Sequence, residues 1–291
     1  MLGLDGRVRP RLAIVALRAA FFDGEYAELS AWTGETREEL EAQEEYHAGE
    51  RQVWLAWEDA HVIGVMKPWL RPDGRHTLYF GPCRPQAYPV LVAQVSGECF
   101  TMVDDADSAA LRELTALGFH TVRTELRYSI PVTRFAASIP AGIEIVSAAR
   151  TELEPLMNLD CALRQDIPGA DGWQPDPKWF REETYDSPFF DPEAYLVALE
   201  AGKYIGLVRI WNGPRPQPRL GMIGVLPEYR RRGLARALIG RAFDALHARG
   251  ANEVVAEADA GNNASNNLLT SLGGAVTGYD VELRRTAKTQ G

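Results

Sequence analysis

The chain has 291 residues, 46% of them hydrophobic and 24% charged, with 40 Asp and Glu against 31 Lys and Arg. That balance belongs to a folded globular protein and excludes a disordered one. The net charge of −9 argues against general affinity for nucleic acid or anionic membrane, which needs a broad basic surface.

The first apolar run, Leu12 to Leu17, lasts six residues before Arg18 interrupts it. That is too short for a signal-peptide core, and it predicts a buried strand. No other run approaches the roughly 20 residues of a membrane span. Next come strand patterns at 52–57 ("QVWLAW"), 62–66 ("VIGVM") and 76–80 ("HTLYF"), a proline-broken segment at 85–95, and a strand at 98–103. An amphipathic helix near 107–117 and a strand at 121–130 close this half. The second half repeats the order: strand 143–148, helix 148–164, strands 194–200, 203–211 and 220–225, helix 233–249, strand 253–258, helix 263–272 and strand 277–285. Between the halves, "PVTRFAASIPAGI" reads as a linker, with prolines and little periodicity. Cys83, Cys99 and Cys161 are odd in number and lack a C-x-x-C spacing, which fits free thiols in a reducing cytoplasm. His47, His61, His76, His120 and His247 are scattered, so no metal site is expected.

The repetition has a register. A shift of 155 residues aligns Glu98 with Glu253, Asp104 with Asp259, Ala109 with Ala264, and Leu114, Thr115, Leu117 and Gly118 with Leu269, Thr270, Leu272 and Gly273. A duplicated domain follows from these matches together with the shared order of elements.

Positive charge gathers at one spot in this acidic chain, "PEYRRRGLARAL". It lies between the strand ending at Val225 and a helix whose apolar positions Leu234, Leu238, Ala242 and Leu246 recur at i+4. A helix N-terminus offers unpaired N–H groups and about half a positive charge, so it binds phosphate. Gly233 permits unusual dihedrals there, and arginine forks suit phosphate oxygens.

Arg230-x-x-Gly233-x-Ala235 resembles the R/Q-x-x-G-x-G/A motif of the GNAT superfamily of N-acetyltransferases, and Val225, Pro227 and Tyr229 fit that family's strand end and loop. "GNNASNNLLTSLGG" (261–274) is similar to the family's later N-x-x-A-x-x-L-Y-x-x-L-G-F. Asn262, Leu268, Leu272 and Gly273 match, and Ser265 takes the small position. Leu269 stands where relatives often carry a proton-donating tyrosine, and Gly274 replaces phenylalanine.

The resemblance implies an α/β (α+β) fold of two tandem GNAT-like domains, each a mixed, mostly antiparallel sheet flanked by helices. A degenerate N-terminal domain would span 1–132, a linker 133–142, and a C-terminal acetyl-CoA-binding domain 143–291. It further implies acetyl-CoA as cosubstrate. Ile223 and Val225 would hold the pantetheine through their backbone. Arg230, Arg231, Arg232, Gly233, Leu234, Ala235 and Arg236 would hold phosphates, and Asn262 and Ser265 would lie near the pantetheine or a neighbouring group. The N-terminal half has "GPCRPQAYP" where a cradle would fall, and its prolines remove donors.

The implied activity is acetyl transfer to a primary amine of a small molecule. A protein N-acetyltransferase or a non-catalytic acyl-CoA-binding regulator are the alternatives. No carboxylate lies on 220–225, so a base would come from Asp280, Glu282 or the acids of 166–193. That segment also carries Trp173, Trp179, Phe180, Tyr185, Phe189 and Phe190. It reads either as an aromatic, acidic pocket for a cationic amine or as an amphipathic helix with a solvated face.

Overall fold

A computed structural model describes residues 14–18, 23–38, 40, 53–59, 61–213 and 217–287. The chain packs as two units: residues 1–71, 75–123 and 281–291 form one, and 72–74 with 124–280 form the other.

The first unit contains strands β1 (Ile14–Arg18), β2 (Val53–Glu58), β3 (His61–Leu70), β4 (His76–Cys83) and β5 (Cys99–Asp104), in that order across its sheet. The described residues include helices α1 (Asp23–Thr33), α2 (Ala87–Val92) and α3 (Ser108–Ala116). The proline-broken segment is therefore helical at its centre, and α1 was not anticipated. The stretch expected as a strand from Leu12 is β1 from Ile14, and its first two residues lie outside the described ones. A core of Ile63, Met66, Leu78, Leu91, Leu114 and Phe119 joins α2 and α3 to these strands.

Strand β6 (His120–Pro131) begins in the first unit and continues into the second. The second unit then adds β7 (Ile143–Ser147), α4 (Leu153–Arg164), α5 (Pro177–Thr184), β8 (Tyr195–Glu200), β9 (Lys203–Trp211) and β10 (Arg219–Val225). The chain continues through α6 (Leu234–Ala248), β11 (Glu253–Asp259), α7 (Asn263–Ser271) and β12 (Ala275–Arg285). Strand order in this unit is β12-β6-β11-β10-β9-β8-β7, antiparallel at β7/β8, β8/β9, β9/β10 and β11/β6, and parallel at β10/β11. The mixed, mostly antiparallel architecture is the one expected. Strand β12 changes packing unit after Asp280, and residues 133–142 pack within the second unit.

Helix α6 covers one face of the second sheet. Its i+4 stripe of Leu234, Leu238, Ala242 and Leu246, with Ile239 and Phe243 beside it, is buried against Val208, Ile210, Leu220 and Val254. Burying each large side chain contributes about 1.5–3 kcal/mol. On the opposite face, α4 and α5 bury Leu156, Leu159, Leu163 and Phe180 against Tyr195, Val197, Leu207 and Met222.

The 155-residue register reappears in the hydrogen bonds. Asp107 caps α3 by accepting from the Ala110 amide at 2.9 Å, and Asn262 caps α7 by accepting from the Ser265 amide at 3.1 Å. Before each cap an aspartate accepts from the amide two residues on, Asp104 from Ala106 at 2.9 Å and Asp259 from Gly261 at 2.7 Å. After each helix comes a left-handed glycine, Gly118 at φ 88° and Gly273 at φ 85°. The next amide then returns to the helix, Phe119 to the Leu114 carbonyl at 3.1 Å and Gly274 to that of Leu269 at 3.0 Å. Six-to-one bonds of this kind satisfy the orphan carbonyls of a helix end.

Candidate functional site

The parallel pair β10/β11 touches at one end only, through Arg219 opposite Val255 and Leu220 opposite Ala256. Beyond Leu220 the strands part. Strand β10 stays paired with β9 as far as Val225 opposite Gly206, and β11 stays paired with β6 as far as Asp259 opposite Glu125. Residues 221–225 therefore present one strand edge with no partner strand among the described residues. Backbone N–H and C=O groups need a partner, whether protein or water, and along 221–225 β11 does not supply one across this slot. At its closed end the register shifts between Leu220 and Met222. There the Trp211 ring lies 2.4 Å from the position a Gly221 Cβ would take, so only glycine fits.

The open end of the slot leads to the basic turn. A 3-10 turn at Pro227–Tyr229 precedes Arg230, which is extended. Arg231 is then left-handed at φ 67°, and so is Gly233 at φ 81°. Left-handed residues separated by one ordinary residue turn successive N–H groups toward one point, a nest for an anion. Gly233 is the N-cap of α6, no side chain caps this end, and a Cβ built there meets nothing within 4 Å. The leading amides, from Leu234 through Ala235 to Arg236, have no partner within the helix.

The four arginines divide by role. Arg230 donates from Nε to the Val225 carbonyl at 2.8 Å and pairs with Asp166, so it braces the turn. Arg232 donates to the Glu228 carbonyl at 3.2 Å and lies over Tyr229. Arg236 donates to Ser271 Oγ at 3.0 Å and lies over Phe135. Arg231 is exposed, and among the described residues nothing bonds its side chain. Of the expected phosphate ligands, Arg231 and the amides are therefore the ready ones.

The second motif is occupied by its own helix. Asn262 spends its carbonyl oxygen on the Ser265 amide as the α7 cap. Leu269 is 3% exposed in the core shared with Val225 and Leu234. Gly274 is glycine for a local reason, since a Cβ there would sit 2.7 Å from the Leu269 carbonyl oxygen.

The candidate bases fare unevenly. Glu282 belongs to the first unit, buried and paired with Arg123 at 2.7 Å. Asp280 lies 3.5 Å from Arg127. In 166–193, Asp166 grips Arg230, Asp176 caps α5, and the buried Asp191 accepts from Arg249 at 2.5 Å. Phe180, Tyr185 and Phe190 pack into the core. Trp173 and Trp179 do flank a cation, but it is Arg164, 4.3 Å and 6.0 Å from their ring centroids and paired with Asp160 at 2.5 Å. The aromatic cage is thus filled by the chain itself.

Sequence reasoning missed Asp160, Arg164, Tyr195 and Arg209, which meet between α4, β8 and β9. A cation in the apolar run "KYIGLVRIW" was the available signal. Across the closed end of the slot, Arg219 on β10 pairs with Glu257 on β11 at 2.8 Å.

In the first unit the parallel pair β4/β5 also touches at one point, Thr77 opposite Phe100. The turn after β4 is closed, however. Gln86, at the head of α2, is right-handed, and the Ala87 amide returns to Arg84 at 2.9 Å. Pro89 has no N–H to offer.

Residues 159–273 match the model of the acetyltransferase (GNAT) family. The mycothiol acetyltransferase of Thermobispora bispora is 28% identical over 187 residues, 61% of this chain and 62% of that relative's length, so less than two thirds of the relative is spanned. A GCN5-related N-acetyltransferase from Sphaerobacter thermophilus superposes with a TM-score of 0.69 at 18% identity, covering 94% of this chain and 95% of that one. A tandem GNAT protein from the clavulanic acid biosynthesis pathway gives 0.67 at 14% identity, covering 96% and 100%. Both likenesses concern the fold. The slot, the uncapped helix and the sequence match coincide in the second unit, and over residues 159–273 the chain carries an acetyltransferase domain of the GNAT family.

Proposed function

We propose that the second unit binds acetyl-CoA and that the protein transfers the acetyl group to a primary amine of a small molecule. The observation that carries this reading is the parting of β10 from β11 at Leu220, with the opening led into an uncapped helix at Gly233. Acetyl-CoA supplies an activated acetyl thioester. The amides of Gly233, Leu234, Ala235 and Arg236 hold pyrophosphate with the help of the helix dipole, and Arg231 adds charge. The backbone of Ile223 and Val225 serves the pantetheine as a strand edge. From Val225 back to Leu220 the slot runs roughly 17 Å at the usual strand rise, so the thioester end falls beside Gly221 and Met222. Strand β10 carries no carboxylate, so the residues there position reactants rather than relay protons.

The relative's name, mycothiol acetyltransferase, supports a small-molecule acceptor. The repeated caps support a duplication with repeats at 1–132 and 143–291 about 133–142. Three free cysteines fit a reducing cytoplasm. Release of CoA thiol from acetyl-CoA across an amine panel tests the reading. Turnover with a small amine is expected, and binding without turnover on any amine would sink it in favour of an acyl-CoA-binding regulator.

A further inference from the structure

Arg209 sits in the middle of β9 with 2% of its surface exposed. No described residue accepts a hydrogen bond from its Nε or Nη1. The guanidinium lies between the rings of Trp211, at 4.5 Å, and Tyr195, at 5.7 Å. Its acidic neighbour is Asp160, whose Oδ1 is 3.5 Å from Nη1 while Oδ2 is held by Arg164 at 2.5 Å. One buried carboxylate thus serves two guanidiniums, the buried Arg209 and the partly buried Arg164, which leaves a positive charge in excess. A buried charge that shares its counter-ion and leaves hydrogen bonds unmade is costly.

Directly across the β8/β9 register from Arg209 stands Tyr195, 2% exposed, whose hydroxyl also has no partner. Burial pushes the Tyr195 phenol well above its ordinary pKa, so it remains an O–H donor. Two guanidinium N–H groups and a phenol O–H, with net positive charge and flat rings around them, complement a small planar oxyanion. Arginine's fork matches a carboxylate with two parallel bonds.

The position ties this spot to the slot. On its other side Arg209 is paired with Met222, and cross-strand partners share a face. Met222 follows the register shift at the slot's closed end, about 4.8 Å away at the usual strand spacing. The opposite face is covered by α6.

We propose that Arg209 and the Tyr195 hydroxyl form a carboxylate-binding subsite for the acceptor, which makes the acceptor an amine that also carries a carboxylate. The acceptor assignment rests on the acetyl-transfer reading, whereas the anion site itself does not.

Thermal unfolding of the full chain in sodium formate, against sodium chloride at equal ionic strength, tests the site. A saturable rise in midpoint is expected with formate. Arg209→Met should lose that rise yet melt no lower than wild type in chloride, because it removes a buried cation that shares Asp160 with Arg164. If Arg209→Met does not fold, Arg209→Lys and Tyr195→Phe serve instead, each weakening the formate response at least tenfold. A flat formate response, or one that these variants retain, overturns the site. A stronger response to inorganic phosphate overturns the carboxylate assignment. In turnover, amines matched with and without a carboxylate should differ at least tenfold in kcat/KM, and Tyr195→Phe should erase the difference while leaving the KM for acetyl-CoA unchanged. Equal use of both members overturns the acceptor role. Formate binding with no turnover on any amine overturns the acetyl-transfer reading and the acceptor role together.

Discussion

Gly233→Glu separates the cradle from the rest of the fold. Gly233 has φ 81°, and a Cβ there meets nothing within 4 Å, so bulk costs little and the left-handed backbone costs about 1–2 kcal/mol in stability for any L side chain. Gly233→Ala is therefore the control: it should lose that much stability in urea melts and bind acetyl-CoA within tenfold of wild type. Gly233→Glu adds a carboxylate where pyrophosphate is proposed to sit. At about 5 Å and an effective dielectric of about 20, repulsion from one phosphate charge is about 3 kcal/mol, which is over a hundredfold in Kd. Titration calorimetry should find acetyl-CoA binding at least a hundredfold weaker than in the alanine control. Acetyl-CoA at a hundredfold its wild-type Kd should stabilise wild type by about 2.7 kcal/mol and leave the glutamate variant almost unmoved. An affinity in Gly233→Glu within threefold of Gly233→Ala would refute the cradle.

Calorimetry should also count one acetyl-CoA per chain, because the first unit's turn is closed at Ala87 and Pro89; a second equivalent site would contradict this. A fragment of residues 138–291 lacks β6, which pairs with β11 from Glu253–Pro131 to Asp259–Glu125, so it should show no cooperative melt in urea, while 120–291 should. Leu269→Tyr forces a larger side chain into a position 3% exposed, which should cost about 1–3 kcal/mol in urea melts and change kcat less than tenfold. Burial pushes the Cys83 thiol up to about 12, so at pH 8 it holds far less thiolate than a free cysteine and should react with iodoacetamide about a thousandfold more slowly. Mass spectrometry of the alkylated chain reads that rate.

Much of the second unit was legible because its signals are local. The stripe from Leu234 to Leu246 and the glycine before it depend on contacts within a few residues. Helix α1 escaped because its sequence "DGEYAELSAWT" has no apolar face to betray it. The aromatic segment was read as a possible pocket because composition records which rings are present, not what fills them. Arg164 fills them, and it comes from a helix outside the segment.

The sequence alone determined the junction from Val225 to Leu234: a strand, a basic turn and a glycine-led helix are consecutive in the chain, and backbone sterics make that junction. It also carried the repeat, since similar residues at the 155-residue spacing, such as Asp104 and Asp259 or Gly118 and Gly273, make similar local bonds. Only the tertiary structure decided which charges remain available. Asp166 lies 64 residues from Arg230, yet the two pair across the turn. Glu282 is held by Arg123, 159 residues away in sequence, because β12 passes into the first unit after Asp280. Arg209, which reads as an oddity in an apolar strand, gains its meaning from the β-sheet register that sets it beside Tyr195 and Met222. Such pairings join residues distant in sequence, and their energy depends on burial and geometry, which exist only once the chain has folded.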